Sequence, residues 1–432
     1  MKKKISATRV IVLLSAALTF AFSQTATPVA AKKYVLQSEQ PPLPDDSVIQ
    51  TGGQAELADA ELVAKARGIT IESALARGRA SKLIGDVQAK LLSQPSLGSG
   101  GVWVENDKAF VLHVGLKNLK GTAEADSLNT IKSQVQEGLK DAKGIDSIVY
   151  HVVPYTQDEL FQAQTVLRES NNDNKLALVS YIDTTSNSVK VMGTREVLDT
   201  LERSVDKSKL PIAFDEAAGK PIFNFVAAEA PPTFKDTNEV LGGWPLADCT
   251  SSFTVAWGDG STDKRRMLTA GHCQDAATLN GVPLEFKGQY LGAIYDFQWH
   301  AATNYPTNYV RNFVYIGGGT NYRPMTSQIY LASTYIGMPT CRYGKSTGNH
   351  CEGSILSIGL YLVDLNGTAF WGMNGTTPAA AFYGDSGGPV YYNNSAIAVL
   401  KGVYTLSGYT YEVSMPLERI AVQGLYLVTW YP

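Results

Sequence analysis

The chain has 432 residues with 40 acidic and 37 basic side chains, which gives a formal net charge of −3 at pH 7. This length is enough for two or three domains of about 150 residues each. A charge so close to zero gives no sign of a nucleic-acid partner or of attraction to an anionic membrane surface. We therefore expect neither kind of partner. No apolar run of membrane-spanning length follows the N-terminal segment, so the mature protein is expected to be soluble, and we expect a monomer.

The N-terminus combines a basic start with an apolar run. Lys2, Lys3, Lys4 and Arg9 precede residues 10–22, which are nearly all apolar, and the small residues VAA occupy 29–31. This pattern predicts a secretory signal peptide over residues 1–31, because the apolar run is too short to span a bilayer as a helix. A retained membrane anchor is the alternative. With the signal removed, the protein is expected to be secreted and extracellular.

The segment after the signal alternates between helix and strand patterns. Apolar periodicity predicts helices over residues 56–67 and 71–92, and strands over 101–104 and 109–114 flank a polar turn. Thr156 and Glu159 form a capping box that opens a helix running to about residue 169. A second hairpin is predicted over 176–182 and 188–192, followed by a helix from about residue 194. Two small α+β lobes are expected, with His113 and His151 as structural residues.

Composition changes near residue 238. The first 237 residues hold 28 acidic and 27 basic side chains, whereas the last 195 hold only 12 and 10. Residues 227–237, which include Pro231-Pro232, read as a linker between a part at 32–237 and a part at 238–432. The second part consists of short strand patterns separated by turn residues, with one helical stretch near the end, which is typical of an all-β barrel or sandwich.

All four cysteines lie in the second part. Cys249, Cys273, Cys341 and Cys351 allow three pairings. Export favours disulfides, and pairing of nearest neighbours would give 249–273 and 341–351. A metal site at His272 and the cysteines is the alternative, but no C-x-x-C or H-E-x-x-H spacing supports it. We therefore expect no metal and no other cofactor.

Two motifs in the second part carry the chemistry. His272 lies in LTAGHC at 268–273, and Ser386 lies in GDSGGP at 384–389. A serine needs a base to take its proton, and histidine is suited to that near neutral pH. The glycines let a peptide approach the hydroxyl and let the backbone turn sharply. Amides on either side of Asp385 can then face the oxyanion of acyl transfer.

The order of these residues separates two classes of hydrolase. The segment GDSGG also fits the G-x-S-x-G turn of α/β-hydrolases, whose histidine follows the serine. The last histidine of this chain is His350, which precedes Ser386. An α/β-hydrolase triad therefore cannot be completed, and the order histidine before serine is that of chymotrypsin-like enzymes.

Further segments extend the resemblance. TCRYGKSTG at 340–348, the end of the chain from 413 to 429, and GVWV at 101–104 resemble the streptogrisin and α-lytic endopeptidase group of bacterial chymotrypsin-like serine endopeptidases. The resemblance implies two six-stranded antiparallel β-barrels with the active site in the cleft between them. It also implies that 32–237 is a pro-region, which assists folding and then occupies the active site until self-cleavage. Peptide substrates and this pro-region are the expected partners.

The resemblance also assigns residues. It implies that His272 is the general base, Asp296 the acid that orients it and Ser386 the nucleophile, with the amides of Gly384 and Ser386 forming the oxyanion hole. Asp385 would be buried behind the nucleophile and supported by the cation of Arg342. The strand that binds substrate would contain Thr405, Leu406 and Ser407, with Thr405 in place of the group's usual serine.

The pocket for the residue before the cut site lacks features of the group. The cysteine that usually precedes the active serine is missing. The two wall segments, 378–382 and 403–408, contain no charge, and burying a substrate charge against them would be costly. We therefore predict cleavage after apolar or aromatic residues, with small residues as the second choice. A catalytically silent binding module on the same fold, a cell-wall lytic enzyme and an esterase are the competing functions.

Overall fold

The structure is a computed structural model that describes residues 50, 52–117, 122–206, 210–224, 240–246, 248–257, 264–274, 278–279, 282–302, 310–317, 321–364, 366–377 and 381–429, without the side chains of 122–125. The N-terminal part, residues 50–224, contains α1 (Gly52–Arg67), α2 (Ile71–Leu92), β1 (Ser99–Asn106), β2 (Phe110–Lys117), α3 (Thr122–Gly138), β3 (Ser147–Val153), α4 (Gln157–Ser170), β4 (Leu178–Asp183), β5 (Ser188–Gly193), α5 (Arg195–Ser204), β6 (Ile212–Glu216) and β7 (Ile222–Asn224). The predicted signal peptide lies outside the described residues.

Local sequence signals account for most of these elements. The predicted helices 56–67 and 71–92 are confirmed as α1 and α2, and the Thr70 side chain caps α2 by accepting from the Ser73 amide. The capping box of Thr156 and Glu159 is also present at the start of α4. Both hairpins form, as β1–β2 and β4–β5. Helix α3 and strand β3 were not predicted from the sequence, although β3 extends the first hairpin in parallel to β2.

The second part, residues 240–429, is almost entirely β. Its strands are β8 (Val240–Gly242), β9 (Thr254–Trp257), β10 (Arg266–Thr269), β11 (Thr278–Leu279), β12 (Val282–Leu291), β13 (Asp296–Ala302), β14 (Val310–Tyr315), β15 (Tyr322–Pro324), β16 (Ser327–Gln328), β17 (Pro339–Gly344), β18 (Gly348–Val363), β19 (Ala369–Thr377), β20 (Pro389–Tyr392), β21 (Ser395–Leu406), β22 (Tyr409–Pro416) and β23 (Leu425–Leu427). A 3-10 helix at Leu417–Gln423 follows β22, at the helical stretch expected from the sequence.

The strands of the second part form three sheets among the described residues. One has six strands in the order β11-β12-β13-β10-β9-β23, and a small one has the order β15-β14-β8. The third has eleven strands because β17 to β22 continue into β4, β5 and β6 of the N-terminal part, with β7 and β16 paired to β21. Helices therefore precede a mostly β region, as predicted. Two separate six-stranded barrels are not confirmed, since one sheet runs through both parts.

The two parts share contacts at several places. Strand β4 pairs with β18, and Tyr361 and Val363 of β18 enter a buried cluster with residues of α4, α5, β4 and β5. Val104 of β1 donates from its amide to the Ile336 carbonyl at 2.9 Å. Asp59 of α1 and Arg323 of β15 form an ion pair at 2.6 Å with both side chains 0% exposed. These contacts hold the N-terminal part against the β region.

Two disulfides are present in the second part, one between loops and one between strands β17 and β18. Cys249 is bonded to Cys273, and Cys341 to Cys351, which is the pairing of nearest neighbours expected from the sequence. In the part of the chain that the structure describes, no helix is long and apolar enough to cross a membrane.

Candidate active site

Ser386 lies in a tight turn between β19 and β20. Gly384 and Gly387 have φ values of +94° and +83°, a region that favours glycine. A Cβ at Gly387 would lie 2.1 Å from Thr269 Oγ1 and 2.9 Å from the Ala270 amide nitrogen. The turn that carries Ser386 therefore packs directly against the segment that leads into His272.

The backbone amides of this turn fall into two groups. Those of Asp385, Gly387 and Gly388 donate to the carbonyls of Phe382, Leu400 and Asp385. Among the described residues, the amides of Gly384 and Ser386 have no protein acceptor. These two amides are available to an anionic oxygen beside the Ser386 hydroxyl, which is the requirement for an oxyanion hole.

Asp385 is fully buried behind the turn, with a rich set of donors. Its Oδ1 accepts from the amides of Ser346 at 2.9 Å and Thr347 at 3.3 Å. Its Oδ2 accepts from the Phe382 amide at 2.8 Å and from the Thr347 hydroxyl at 2.7 Å. A Cβ at Gly344 would lie only 2.1 Å from Asp385 Oδ1. Glycine at 344 thus makes room for a carboxylate that anchors the turn.

Arg342 lies beside Asp385 but makes its shortest ion pair elsewhere. Its Nη1 is 3.6 Å from Asp385 Oδ2 and donates to the Thr347 hydroxyl at 2.7 Å. Its Nε donates to Glu412 Oε1 at 2.6 Å, and both side chains are buried. Glu412 also accepts from the Ala381 amide at 2.9 Å. The arginine was expected near Asp385 from the sequence, whereas the glutamate that neutralises it was not.

His272 and Asp296 meet at the open end of the six-stranded sheet. His272 follows β10, and Asp296 is the first residue of β13, which pairs with β10. The His272 Nδ1 atom lies 2.8 Å from Asp296 Oδ2, and the His272 amide donates to Asp296 Oδ1 at 3.0 Å. Such a two-point contact fixes the ring orientation and favours a proton on Nδ1, leaving Nε2 as the basic atom.

Lys401 of β21 connects Asp296 to Ser386. Its Nζ lies 3.0 Å from Asp296 Oδ2, while its backbone carbonyl accepts from the Ser386 hydroxyl at 3.2 Å. Burial raises the pKa of Asp296, but the charges of Lys401 and His272 outweigh burial and hold that pKa at about 2. The carboxylate is therefore ionised at neutral pH. Lys401 was not predicted from the sequence, although a lone lysine within the apolar run 396–403 is a signal for a buried partner.

The residues predicted for the substrate-binding strand lie at the far end of β21. The Thr405 hydroxyl is 3.1 Å from that of Thr410, and Ser407 has a φ of +52° in the turn to β22. The side chain of β21 that contacts Asp296 is thus Lys401, whereas Thr405 was expected in the strand passing behind the triad. Strand β7 pairs antiparallel with this stretch, with Val403, Tyr404 and Thr405 opposite Asn224, Phe223 and Ile222.

Together these contacts form a chain that links His272, Asp296, Lys401 and Ser386. His272 is hydrogen-bonded to Asp296, and Asp296 forms an ion pair with Lys401. The backbone carbonyl of Lys401 accepts a hydrogen bond from the Ser386 hydroxyl. The turn of Ser386 also packs on the residues preceding His272. Cys273, next to His272, is bonded to Cys249, so these sulfurs are not thiolate ligands for a metal. The arrangement suits acyl transfer through a serine nucleophile.

No protein-family model matches the chain. Among solved structures it is similar to Thermobifida fusca Protease A, with 26% identity, coverage of 44% of this chain and 100% of that chain, and a TM-score of 0.37. It is also similar to Cellulomonas bogoriensis chymotrypsin, with 23% identity, coverage of 44% of this chain and 100% of that chain, and a TM-score of 0.36. A Nocardiopsis protease is similar with 20% identity, coverage of 44% of this chain and 98% of that chain, and a TM-score of 0.37. These neighbours are bacterial chymotrypsin-like proteases. At such TM-scores the function proposed below depends on the geometry of the site.

Proposed function

We propose that the chain is a serine endopeptidase that is made as a secreted, self-processing precursor. The observation that carries the proposal is the contact of 2.8 Å between His272 Nδ1 and the buried carboxylate of Asp296, in the same site as a serine held in a glycine turn. A structural histidine would not require a buried carboxylate on Nδ1, a serine whose turn packs on the residues preceding the histidine, and a pair of amides without protein acceptors among the described residues. All of these serve one reaction, the transfer of an acyl group to a hydroxyl.

The proposed mechanism assigns one role to each group. The Ser386 hydroxyl attacks the carbonyl carbon of a peptide bond while His272 Nε2 takes its proton. Asp296 stabilises the imidazolium, and the amides of Gly384 and Ser386 bind the oxyanion. His272 then gives the proton to the leaving amine, so that an acyl-enzyme remains. Water, activated by the same imidazole, hydrolyses the ester and restores Ser386.

Strand β7 supports the precursor part of the proposal. It adds to β21 in antiparallel register at Val403 to Thr405, which is how an extended peptide binds to a free strand. Phe223 of β7 packs on Phe370 at a ring distance of 4.8 Å. A peptide substrate would need the same stretch of β21, so the N-terminal part blocks the site until it is removed. The proposed boundary, between 237 and 238, lies outside the described residues.

The structure describes only part of the pocket on which the proposed apolar specificity depends. Residues 378–380 of one wall lie outside the described residues. Glu412 is a buried charge next to Ala381 of the same wall, and it was not counted in the pocket predicted from the sequence. Its carboxylate is engaged by Arg342 at 2.6 Å and by the Ala381 amide at 2.9 Å, so we expect it to bind these groups rather than a substrate lysine or arginine. Preference for apolar or aromatic residues before the cut site therefore remains the proposal.

A fluorophosphonate probe tests the proposed function. We expect covalent labelling of the processed wild-type protein and cleavage of casein. Ser386→Ala should be unlabelled and inactive, and it should accumulate as the uncleaved precursor. Thr368→Ala is the matched control because Thr368 is an exposed hydroxyl residue in the turn between β18 and β19, within the part that remains after processing, and it should behave as wild type. A folded wild-type chain that is neither labelled nor active would favour the silent binding module. Activity on simple esters or on cell-wall material, but not on casein, would favour an esterase or a cell-wall lytic enzyme.

A further inference from the structure

The buried lysine of the site has a position that the reaction described above does not use. Lys401 Nζ is 3.0 Å from Asp296 Oδ2, the same oxygen that lies 2.8 Å from His272 Nδ1. The Lys401 side chain is only 4% exposed and that of Asp296 is 0% exposed. One carboxylate oxygen therefore contacts both an ammonium group and the imidazole ring, where the mechanism requires only the imidazole.

The surroundings of Lys401 hold its ammonium in place. Phe370 of β19 lies with its ring centroid 5.1 Å from Nζ, and in the uncleaved chain Phe223 of β7 adds a second ring at 5.8 Å. The backbone of Lys401 accepts the Ser386 hydroxyl. Lys401 from β21 and His272 from the turn after β10 are the charged and titratable groups that lower the pKa of Asp296. From β22, the Met415 sulfur lies 3.2 Å from the Asp296 amide nitrogen.

We propose that Lys401 is a positioning residue of the active site, which clamps the Asp296 carboxylate and sets the pH at which His272 becomes an effective base. The inference rests on the proposed function. Since Nζ and Nδ1 contact the same oxygen, the two distances add up to a largest possible separation of 5.8 Å between them. A fixed cation so near the imidazole opposes uptake of a proton by the ring. We therefore expect the loss of this cation to favour uptake of a proton by the ring.

The size of this effect follows from the distance. Two unit charges at that separation, at an effective dielectric constant of about 20, interact strongly enough to move a titration by about 2 pH units. Relaxation and water entry reduce this figure, so we expect about 1 to 2 units. Replacing the lysine by a neutral residue should therefore move the acid limb of the activity profile upward by that amount.

The test compares kcat/KM against pH for the processed wild type, Lys401→Met and Lys401→Arg. The acid limb of the methionine variant should have its midpoint about 1 to 2 pH units above that of wild type. The arginine variant keeps the charge, so its midpoint should stay within about 0.5 pH units of wild type. Lys287→Met is the matched control because Lys287 lies on β12 and pairs with Glu285, away from Asp296. Its profile should not move. Lys401→Gln gives a second neutral variant, with an amide that can still donate to the carboxylate.

A structural role alone would lower activity equally at every pH and leave the acid limb unmoved, and this outcome would overturn the inference. A second readout does not depend on activity. The pH titration of the His272 ring can be followed by NMR in the uncleaved Ser386→Ala chain, where the ring signal is assigned by its loss in His272→Gln. The midpoint of this titration should move to higher pH when Lys401 is replaced by methionine or glutamine. An unmoved NMR titration refutes the role of Lys401, whereas a wild type without peptidase activity refutes the proposed function.

Discussion

The ion pair between Asp59 and Arg323 offers a sharp test of how the two parts are held together. Both side chains are 0% exposed, and the contact of 2.6 Å joins α1 to β15. In Asp59→Asn the Arg323 charge stays buried without its counter-charge, which costs about 3–5 kcal/mol. Arg323 keeps weaker partners, the Gln50 side chain at 2.8 Å and the Asn393 carbonyl at 3.3 Å, so we expect the lower end of this range. This corresponds to about a 100-fold change in the unfolding equilibrium.

The assay is urea unfolding of the full chain in the Ser386→Ala background, so that self-cleavage does not interfere. Glu56→Gln is the control on the same helix, because its pair with Arg79 is largely exposed and is worth about 0–1 kcal/mol. The double change Asp59→Leu with Arg323→Met should recover stability, since no charge is then buried. If Asp59→Asn were as mild as Glu56→Gln, the ion pair would not hold the two parts together.

Two further predictions concern pH and substrate. Burial lowers the pKa of His113 despite the nearby Glu105. Below about pH 6.5 the unfolded chain therefore binds a proton on this residue more readily than the folded chain does, and the free energy of unfolding falls on acidification. The urea midpoint of the Ser386→Ala precursor should drop less between pH 8 and pH 5 when His113 is replaced by asparagine, and equal drops with and without His113 would contradict this assignment. With the processed enzyme, a peptide library should show preference for apolar or aromatic residues before the cut, and dominant cleavage after arginine, lysine or glutamate would refute the pocket argument.

Local signals explain why much of the N-terminal part could be predicted. The capping box at Thr156 and the apolar periodicity of α2 each involve residues that are close together in the chain. Each can therefore be recognised from the sequence without knowledge of the fold. Helix α3 was missed, and β3 was anticipated only through His151. The pairing of β3 with β2 depends on residues far apart in the chain. No short-range pattern specifies such a partner.

The site shows the same division. His272 and Ser386 stand in motifs whose residues are adjacent in the chain, and the Asp296 assignment came from a resemblance that carries the order of the chain. Lys401 and Glu412 could not be found in this way, because their importance lies in what they touch across strands: Asp296 on β13 and Arg342 on β17. A charged residue inside an apolar strand signals a buried partner, but the sequence does not name that partner.

The continuous sheet has a consequence for the proposed removal of the N-terminal part. While β4 is paired to β18, the backbone groups on that side of β18 are satisfied and Tyr361 and Val363 are covered. Loss of the N-terminal part would turn β18 into an edge strand with open amides and carbonyls beside newly exposed apolar side chains. Such strands recruit other strands and promote aggregation. If the N-terminal part is removed as proposed, the exposed edge of β18 would therefore have to rearrange or pair with another segment.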